Sequence, residues 1–320
     1  MYIEQAYKGF TDRWRYFVGF LIVFVFWQIL GGIPLLVAVM MKSDSFATMT
    51  TDLGQMANTL GSNLFFFLIM LTFFAAMVSL WFVVKFIHKL PFKHFTTSRK
   101  KVDWKRIIFS FVLWGIISSG MIILDLYLSP ENYEFTFEPV PFLILLLLSI
   151  IFVPIQTSFE EYFTRGYLMQ SIGLAVNNKW LPLIVSSSLF GLLHIFNPEV
   201  EKLGYGVLVF YIGTGFFLGI LTLMDEGLEL PLGFHASNNF FAALLVTADW
   251  MAFNTNSIYK DVSDPVLGWD VLIPVFVIYP ILLFVFSKKY GWNNWKEKLF
   301  GRVLSKEEFV ALTDGESDLA

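Results

Sequence analysis

Residues 16–41 are apolar almost without a break, with Gln28 the one strongly polar side chain. A run of about 18 or more such residues is long enough to cross the hydrocarbon core of a bilayer as a helix. Eight segments of this kind can be read along the chain: 16–41, 64–84, 107–124, 140–159, 181–196, 204–224, 231–248 and 271–287. Lipid offers no partner to exposed backbone N–H and C=O groups, and the alternating pattern of a barrel is absent. The chain is therefore expected to be all-α, a polytopic transmembrane helical bundle of about eight transmembrane helices. Helix-bending residues fall inside several segments: Gly31, Gly32 and Pro34 in the first, Pro154 in the fourth, Pro274 and Pro280 in the last. The fourth segment is expected to continue as helix beyond Phe159, into a stretch that carries charge.

Composition agrees. Apolar residues make up 56% of the chain, charged residues only 15%, and the mean hydropathy is +0.65. A water-facing domain carries about a quarter charged residues. The chain has no cysteine, which excludes disulfides, thiolate metal sites and a cysteine nucleophile. The first apolar run is too long for the h-region of a cleaved leader and reads as a retained helix.

The basic residues set an orientation. With the N-terminus inside, the inner segments hold Lys8, Arg13 and Arg15, then the dense stretch from Lys85 to Arg106, then Lys179, and finally Lys288 to Lys306. The outer segments hold only Lys42, Lys202 and Lys260. Cytoplasmic loops carry the excess of Lys and Arg, so both termini are expected in the cytoplasm, with the protein in a bacterial inner membrane. The segment with Asp225, Glu226 and Glu229 carries no basic residue and is silent on the question. After the last crossing, Trp292, Trp295, Leu299 and Val303 recur at helical spacing among basic residues, as in a short helix lying at the membrane interface. Residues 313–320 are small, polar and acidic, and are expected to be disordered.

Against this apolar background a few polar residues stand out. The fourth segment runs into Glu160-Glu161-Tyr162-Phe163-Thr164-Arg165. Two adjacent carboxylates at the end of an apolar run are costly unless paired or placed at a cavity. Glu161 and Arg165 lie at i,i+4 and can form an ion pair, whereas Glu160 is turned about 100° away around the helix. A poorly hydrated carboxylate suits a general base; two acids snorkelling at the interface would explain the motif equally well. Phe190 and His194 share a helix face at i,i+4, as do His235 and Asn239. Helix packing through interhelical hydrogen bonds is the alternative for both. The chain has four histidines. His88 and His94 fall in the basic stretch, which leaves only His194 and His235 inside apolar segments. Three polar clusters on three helices are most easily satisfied by converging on one site. Counted along straight helices, however, Glu160 lies near the inner face, with His235 and His194 roughly 10 and 20 Å from it. Kinks or shifted boundaries must reconcile them.

The ordered set Glu-Glu-x-x-x-Arg, Phe-x-x-x-His, His-x-x-x-Asn resembles the signature of the CPBP family, the CAAX proteases and bacteriocin-processing enzymes, which includes the Rce1-type prenyl-protein endopeptidases and the Abi proteins. The resemblance covers about residues 140–246 and is filled at Glu160, Glu161, Arg165, Phe190, His194, His235 and Asn239. It implies a glutamate-dependent intramembrane endopeptidase with no cofactor and no metal. By position, Glu160 with His194 would activate water, and His235 with Asn239 would form the oxyanion site. Glu161 and Arg165 would orient the site, and Phe190 would pack beside it. Residues 139–250 would be the catalytic core. Residues 1–138 would supply additional helices and a basic loop, and 251–320 an outer loop, the last helix and the tail, all within one membrane domain.

The expected partners are the lipid bilayer and a peptide or protein substrate, without nucleic acid; the oligomeric state is left open. Other readings stay open too. Two His and one Glu could hold zinc, although the His-Glu-x-x-His helix is missing. A catalytically silent scaffold or a bacteriocin self-immunity protein could keep the same fold. A transporter could use a protonatable Glu–His site, but no internal repeat is visible.

Overall fold

The computed structural model of the chain describes residues 1–42 and 53–317. All eight apolar segments contain a helix: α1 Arg13–Lys42, α2 Ser62–Ile87, α3 Trp104–Leu128, α4 Pro139–Val176, α5 Trp180–Leu192, α6 Tyr205–Asp225, α7 Glu229–Leu245 and α8 Val271–Tyr290. Six of them are long and apolar enough to cross a membrane. The exceptions are α5, of 13 residues, and α7, of 17. At 1.5 Å per residue these reach roughly 20 and 26 Å, short of a hydrocarbon core about 30 Å thick. His235 lies on the short helix α7, and His194 lies in the turn just after α5 ends at Leu192.

Many large apolar side chains point outward. Phe17, Ile116, Leu147 and Phe284 are between 62% and 68% exposed, one on each of four different helices. Such faces need lipid around them. Inside, Val23, Leu80, Phe159, Phe163 and Leu228 join α1, α2, α4 and the α6–α7 turn in one cluster. A second cluster holds Trp114, Phe217, Phe234, Tyr279 and Phe286. Without a hydrophobic force between helices in lipid, close approach depends on small residues at the contacts. At α3–α7, Gly233 lies against the backbone of Ile107, and Gly115 against Ser237 and Phe241. At α5–α6, Gly215 lies against the backbone of Ser187 and Gly191 against that of Ile212.

The loops sort to two ends. Thr97 bridges to Gly227, Asn178 bridges to Arg302, and the N-terminal amine lies 3.6 Å from Glu226. All of these belong to the segments assigned to the inner side. The acidic 225–229 turn, silent in sequence, is tied there by ion pairs: Arg99 to Asp225 at 2.8 Å and to Glu229 at 3.0 Å, and Arg106 to Asp225. At the other end, Asn63 donates to the Pro141 carbonyl and Glu199 accepts from the Ala252 amide. A small sheet sits there too: β1 Tyr133–Phe135, β2 Val246–Thr247 and β3 Tyr259–Asp261, in the order β1-β3-β2. The first pair is antiparallel and the second parallel.

The small sheet is compatible with the helical bundle, and its strands are too short to leave a periodic signal. Two expectations are corrected, both near the C-terminus. The segment after the last crossing is helical only over Trp295–Phe300, and Leu299 and Val303 are buried against Ile3, Met169 and Met224. Protein takes up Leu299 and Val303, while Trp295 and Phe300 stay exposed. The C-terminal helix Lys306–Ser317 covers most of the segment expected to be disordered, and 318–320 lie outside the described residues. His88, at the start of the basic stretch, is buried: its Nδ1 faces the Phe10 carbonyl at 2.7 Å and its Nε2 the Tyr167 hydroxyl at 3.1 Å.

Candidate active site

α4 is 38 residues long, and this length reconciles the depths. Its α-helical stretch Pro139–Glu161 passes into a π-helical stretch, Tyr162–Leu168, and then runs on to Val176. Glu160 therefore lies about 24 Å from the inner end of its own helix, not at that end. Pro154 lacks the N–H its position requires, and Thr157 donates its hydroxyl to the Val153 carbonyl nearby. π-helical turns inside α-helices are frequent at functional sites, and this one begins immediately after the acid pair.

The two glutamates have different surroundings. Glu161 is fully buried, and its Oε1 accepts from Arg165 Nη1 at 2.9 Å and from His235 Nδ1 at 2.8 Å. Arg165, also fully buried, donates from Nη1 to the Thr164 hydroxyl and from Nη2 to the Gly215 carbonyl at 3.0 Å. Its guanidinium lies over the Phe190 ring, 4.3 Å from the centroid, a cation–π contact in a water-poor place. Glu160 keeps 14% of its side chain exposed, and its Oε2 lies 3.3 Å from His235 Nε2 without a hydrogen bond. His235 thus stands between the carboxylates, one ring nitrogen toward each.

His194 lies one step further out. Its Nδ1 donates back to the Phe190 carbonyl at 2.8 Å, and its ring stacks on Tyr211 with centroids 4.3 Å apart. Because Nδ1 carries the proton, Nε2 holds the free lone pair of a neutral ring. Phe190 separates the two histidines, 5.0 Å from the ring of His194 and 5.7 Å from that of His235. His194 and Glu160 make no direct hydrogen bond. Asn239 donates through Nδ2 to Gln156 Oε1 at 3.0 Å, so α7 and α4 are also joined one turn above Glu160. Glu160, Glu161, Arg165, Phe190 and His235 are therefore brought into contact, with Asn239 and His194 flanking them.

Residues not singled out in the sequence complete the cluster. Gln156 had a signal, a buried amide at i−4 from Glu160 in an apolar helix. Thr164 had none because a hydroxyl one residue from Arg165 is unremarkable, and Gly215 and Tyr211 had none because their roles arise from carbonyl and ring contacts across helices. Among the described residues no group of three or more His, Asp or Glu side chains is arranged to hold a metal ion.

A helical membrane bundle with a buried carboxylate pair, an arginine and an imidazole at its centre has the make-up of a CAAX-type intramembrane protease. The family model described as type II CAAX prenyl endopeptidase Rce1-like matches residues 139–241, a stretch that includes every candidate residue above. A Bacillus subtilis (strain 168) protein, printed as "Uncharacterized protein YyaK", is 32% identical over 253 residues, which cover 79% of this chain and 82% of that protein. The chain belongs to the Rce1-like family. No solved structure matches it.

Proposed function

We propose that the chain is a glutamate-dependent, metal-independent intramembrane endopeptidase with Glu160 as its general base. The observation that carries this reading is the division of labour around His235. Glu161 is fully buried and committed through Oε1 to Arg165 and His235 Nδ1, while the neighbouring Glu160 holds neither bond and keeps 14% of its side chain exposed; Oε2 of each is without a hydrogen bond. A free carboxylate oxygen beside an imidazole is what water activation needs.

In the proposed step, a water held between Glu160 and the free Nε2 of His194 gives its proton to Glu160. Its oxygen attacks the scissile carbonyl carbon. The oxyanion of the tetrahedral intermediate takes hydrogen bonds from His235 Nε2 and Asn239 Nδ2. The His235 contact needs a proton on both ring nitrogens. The Asn239 amide has two N–H groups, of which Gln156 uses one. Protonated Glu160 then returns its proton to the leaving amine as the C–N bond breaks. Arg165 and Glu161 hold His235 in place, and Phe190 packs between the two imidazoles. The substrate is a peptide or protein, and the family description makes a prenylated CAAX peptide the probe of choice. The site works in a bacterial inner membrane with both termini cytoplasmic.

The test is Glu160→Gln in purified, liposome-reconstituted protein, read with a quenched fluorogenic prenylated CAAX peptide. Cleavage should vanish while the thermal midpoint stays at the wild-type value, because the change is nearly isosteric. Full cleavage with a lowered midpoint would make the acid structural and remove Glu160 as the base, whereas a wild-type protein that leaves the peptide intact would favour a scaffold or immunity role.

A further inference from the structure

Trp114 is buried on α3, outside the stretch that the family model matches. Its indole N–H can only donate, and it donates to Asn238 Oδ1 at 3.1 Å. With its oxygen committed, the Asn238 amide must turn its nitrogen the other way, and Nδ2 donates to Asn239 Oδ1 at 3.1 Å. Asn239 then donates from Nδ2 to Gln156 Oε1 at 3.0 Å. An amide by itself fits a site equally well with oxygen and nitrogen exchanged. A chain of amides that begins at a donor-only group does not. The direction fixed at Trp114 therefore passes through two amides and ends with the Asn239 NH2 facing α4, one turn from Glu160. Gln156 stands one helical turn before Glu160 on α4.

We propose that Trp114 is a positioning residue that sets the orientation of the Asn239 carboxamide through Asn238, with Gln156 as the terminal acceptor. The inference rests on Asn239 serving as an oxyanion donor, as set out above. A reversed Asn239 would offer its carbonyl oxygen to a developing negative charge. Asn238→Asp does this deliberately: the carboxylate still accepts from Trp114 but draws the Asn239 NH2 toward itself, away from the site.

The same prenylated CAAX peptide assay tests the relay. Trp114→Phe removes the N–H and keeps an aromatic ring against Phe234, where the wild-type centroids are 4.4 Å apart. Its kcat should fall about 10-fold with KM unchanged, less than the roughly 10²–10³-fold that loss of an oxyanion donor takes from kcat. Asn238→Asp should approach that larger loss. In an Asn239→Ala background, Trp114→Phe should have no further effect. Wild-type kcat in both single variants, or a Trp114→Phe loss undiminished in the Asn239→Ala background, overturns the proposal. If the wild-type protein leaves the peptide intact, the protease reading falls and the relay with it; if the wild type cleaves and the relay variants keep its kcat, only the relay falls. A measurement independent of turnover closes the test. The indole ¹⁵N–¹H resonance of Trp114, recognised by its absence in Trp114→Phe, should move in Asn239→Ala and in Gln156→Ala. A stationary resonance in both overturns the proposal.

Discussion

Glu161 accepts from a guanidinium and an imidazole on the same oxygen, and all three groups sit where water is scarce. Removing one partner of a buried pair leaves an uncompensated charge, which is more damaging than replacing the pair outright. Arg165→Met should therefore destabilise the protein by about 3–5 kcal/mol, read as a drop in the thermal midpoint in detergent. An unchanged midpoint would mean that His235 alone compensates Glu161. Glu160 and His194 call for a different measurement. If they activate one water as a unit, Glu160→Gln and His194→Ala should each abolish cleavage, and the double variant should be little worse than either, since residues acting together are strongly non-additive. Additive losses would separate their roles. The donor geometry also bears on metal: both His235 nitrogens are turned to carboxylates, and His194 Nδ1 is bonded to a backbone carbonyl. Cleavage should survive strong chelation, and stoichiometric zinc whose removal stops the reaction would reverse that expectation.

At the scale of elements, the site depends on α6 lying unusually close to α5. The Gly215 carbonyl accepts from Arg165 Nη2 and from the Ser187 hydroxyl, both at 3.0 Å. A Cβ on Gly215 would meet Ser187 backbone atoms at 3.0 and 3.1 Å, so the neighbour that must yield is main chain and not a flexible side chain. Gly215→Val should force the helices apart and remove one of the acceptors of Arg165. Overpacking of this kind costs about 1–3 kcal/mol, and the lost charge-assisted bond adds to it. The midpoint and the yield of folded protein should both fall, and a Gly215→Val protein as stable as wild type would show that the interface gives way freely. The continuation of α4 serves the site as well. A helix that stopped at Phe159 would leave the acid pair at its frayed end. Continuing it to Val176 carries Glu160 and Glu161 into the interior, opposite α7.

At the scale of the whole molecule, two sets of loops gather at opposite ends, and the Lys and Arg count predicts which end faces the cytoplasm. Arg99 and Arg106 hold the acidic 225–229 turn at the end where the dense basic stretch lies. The opposite end carries the three-stranded sheet. Because the chain has no cysteine, single cysteines report their side directly. Lys101 and Asp264 are both exposed, one at each end. In intact cells an impermeant thiol reagent should label Lys101→Cys only after the membrane is opened, and Asp264→Cys from outside. The reverse pattern would invert the topology.

The sequence by itself determined the class of the molecule, because a 20-residue apolar block has few ways to satisfy its backbone in any solvent and only one in lipid. It also singled out the acid pair, Arg165, the two histidines and Asn239, since polar groups are conspicuous where almost everything else is apolar. Local spacing reached as far as the Glu161–Arg165 pair, whose partners lie one helical turn apart. It could not assign His235 to the glutamates, because that contact spans 74 residues and depends on how α4 and α7 cross. Nor could it find Trp114, an aromatic residue in an apolar helix like many others until its N–H meets Asn238 across 124 residues. The C-terminal segment went the other way: its apolar stripe was legible, but whether lipid or protein covers that stripe is decided by what lies beside it. Those partners are chosen by packing, and packing is a property of the folded chain.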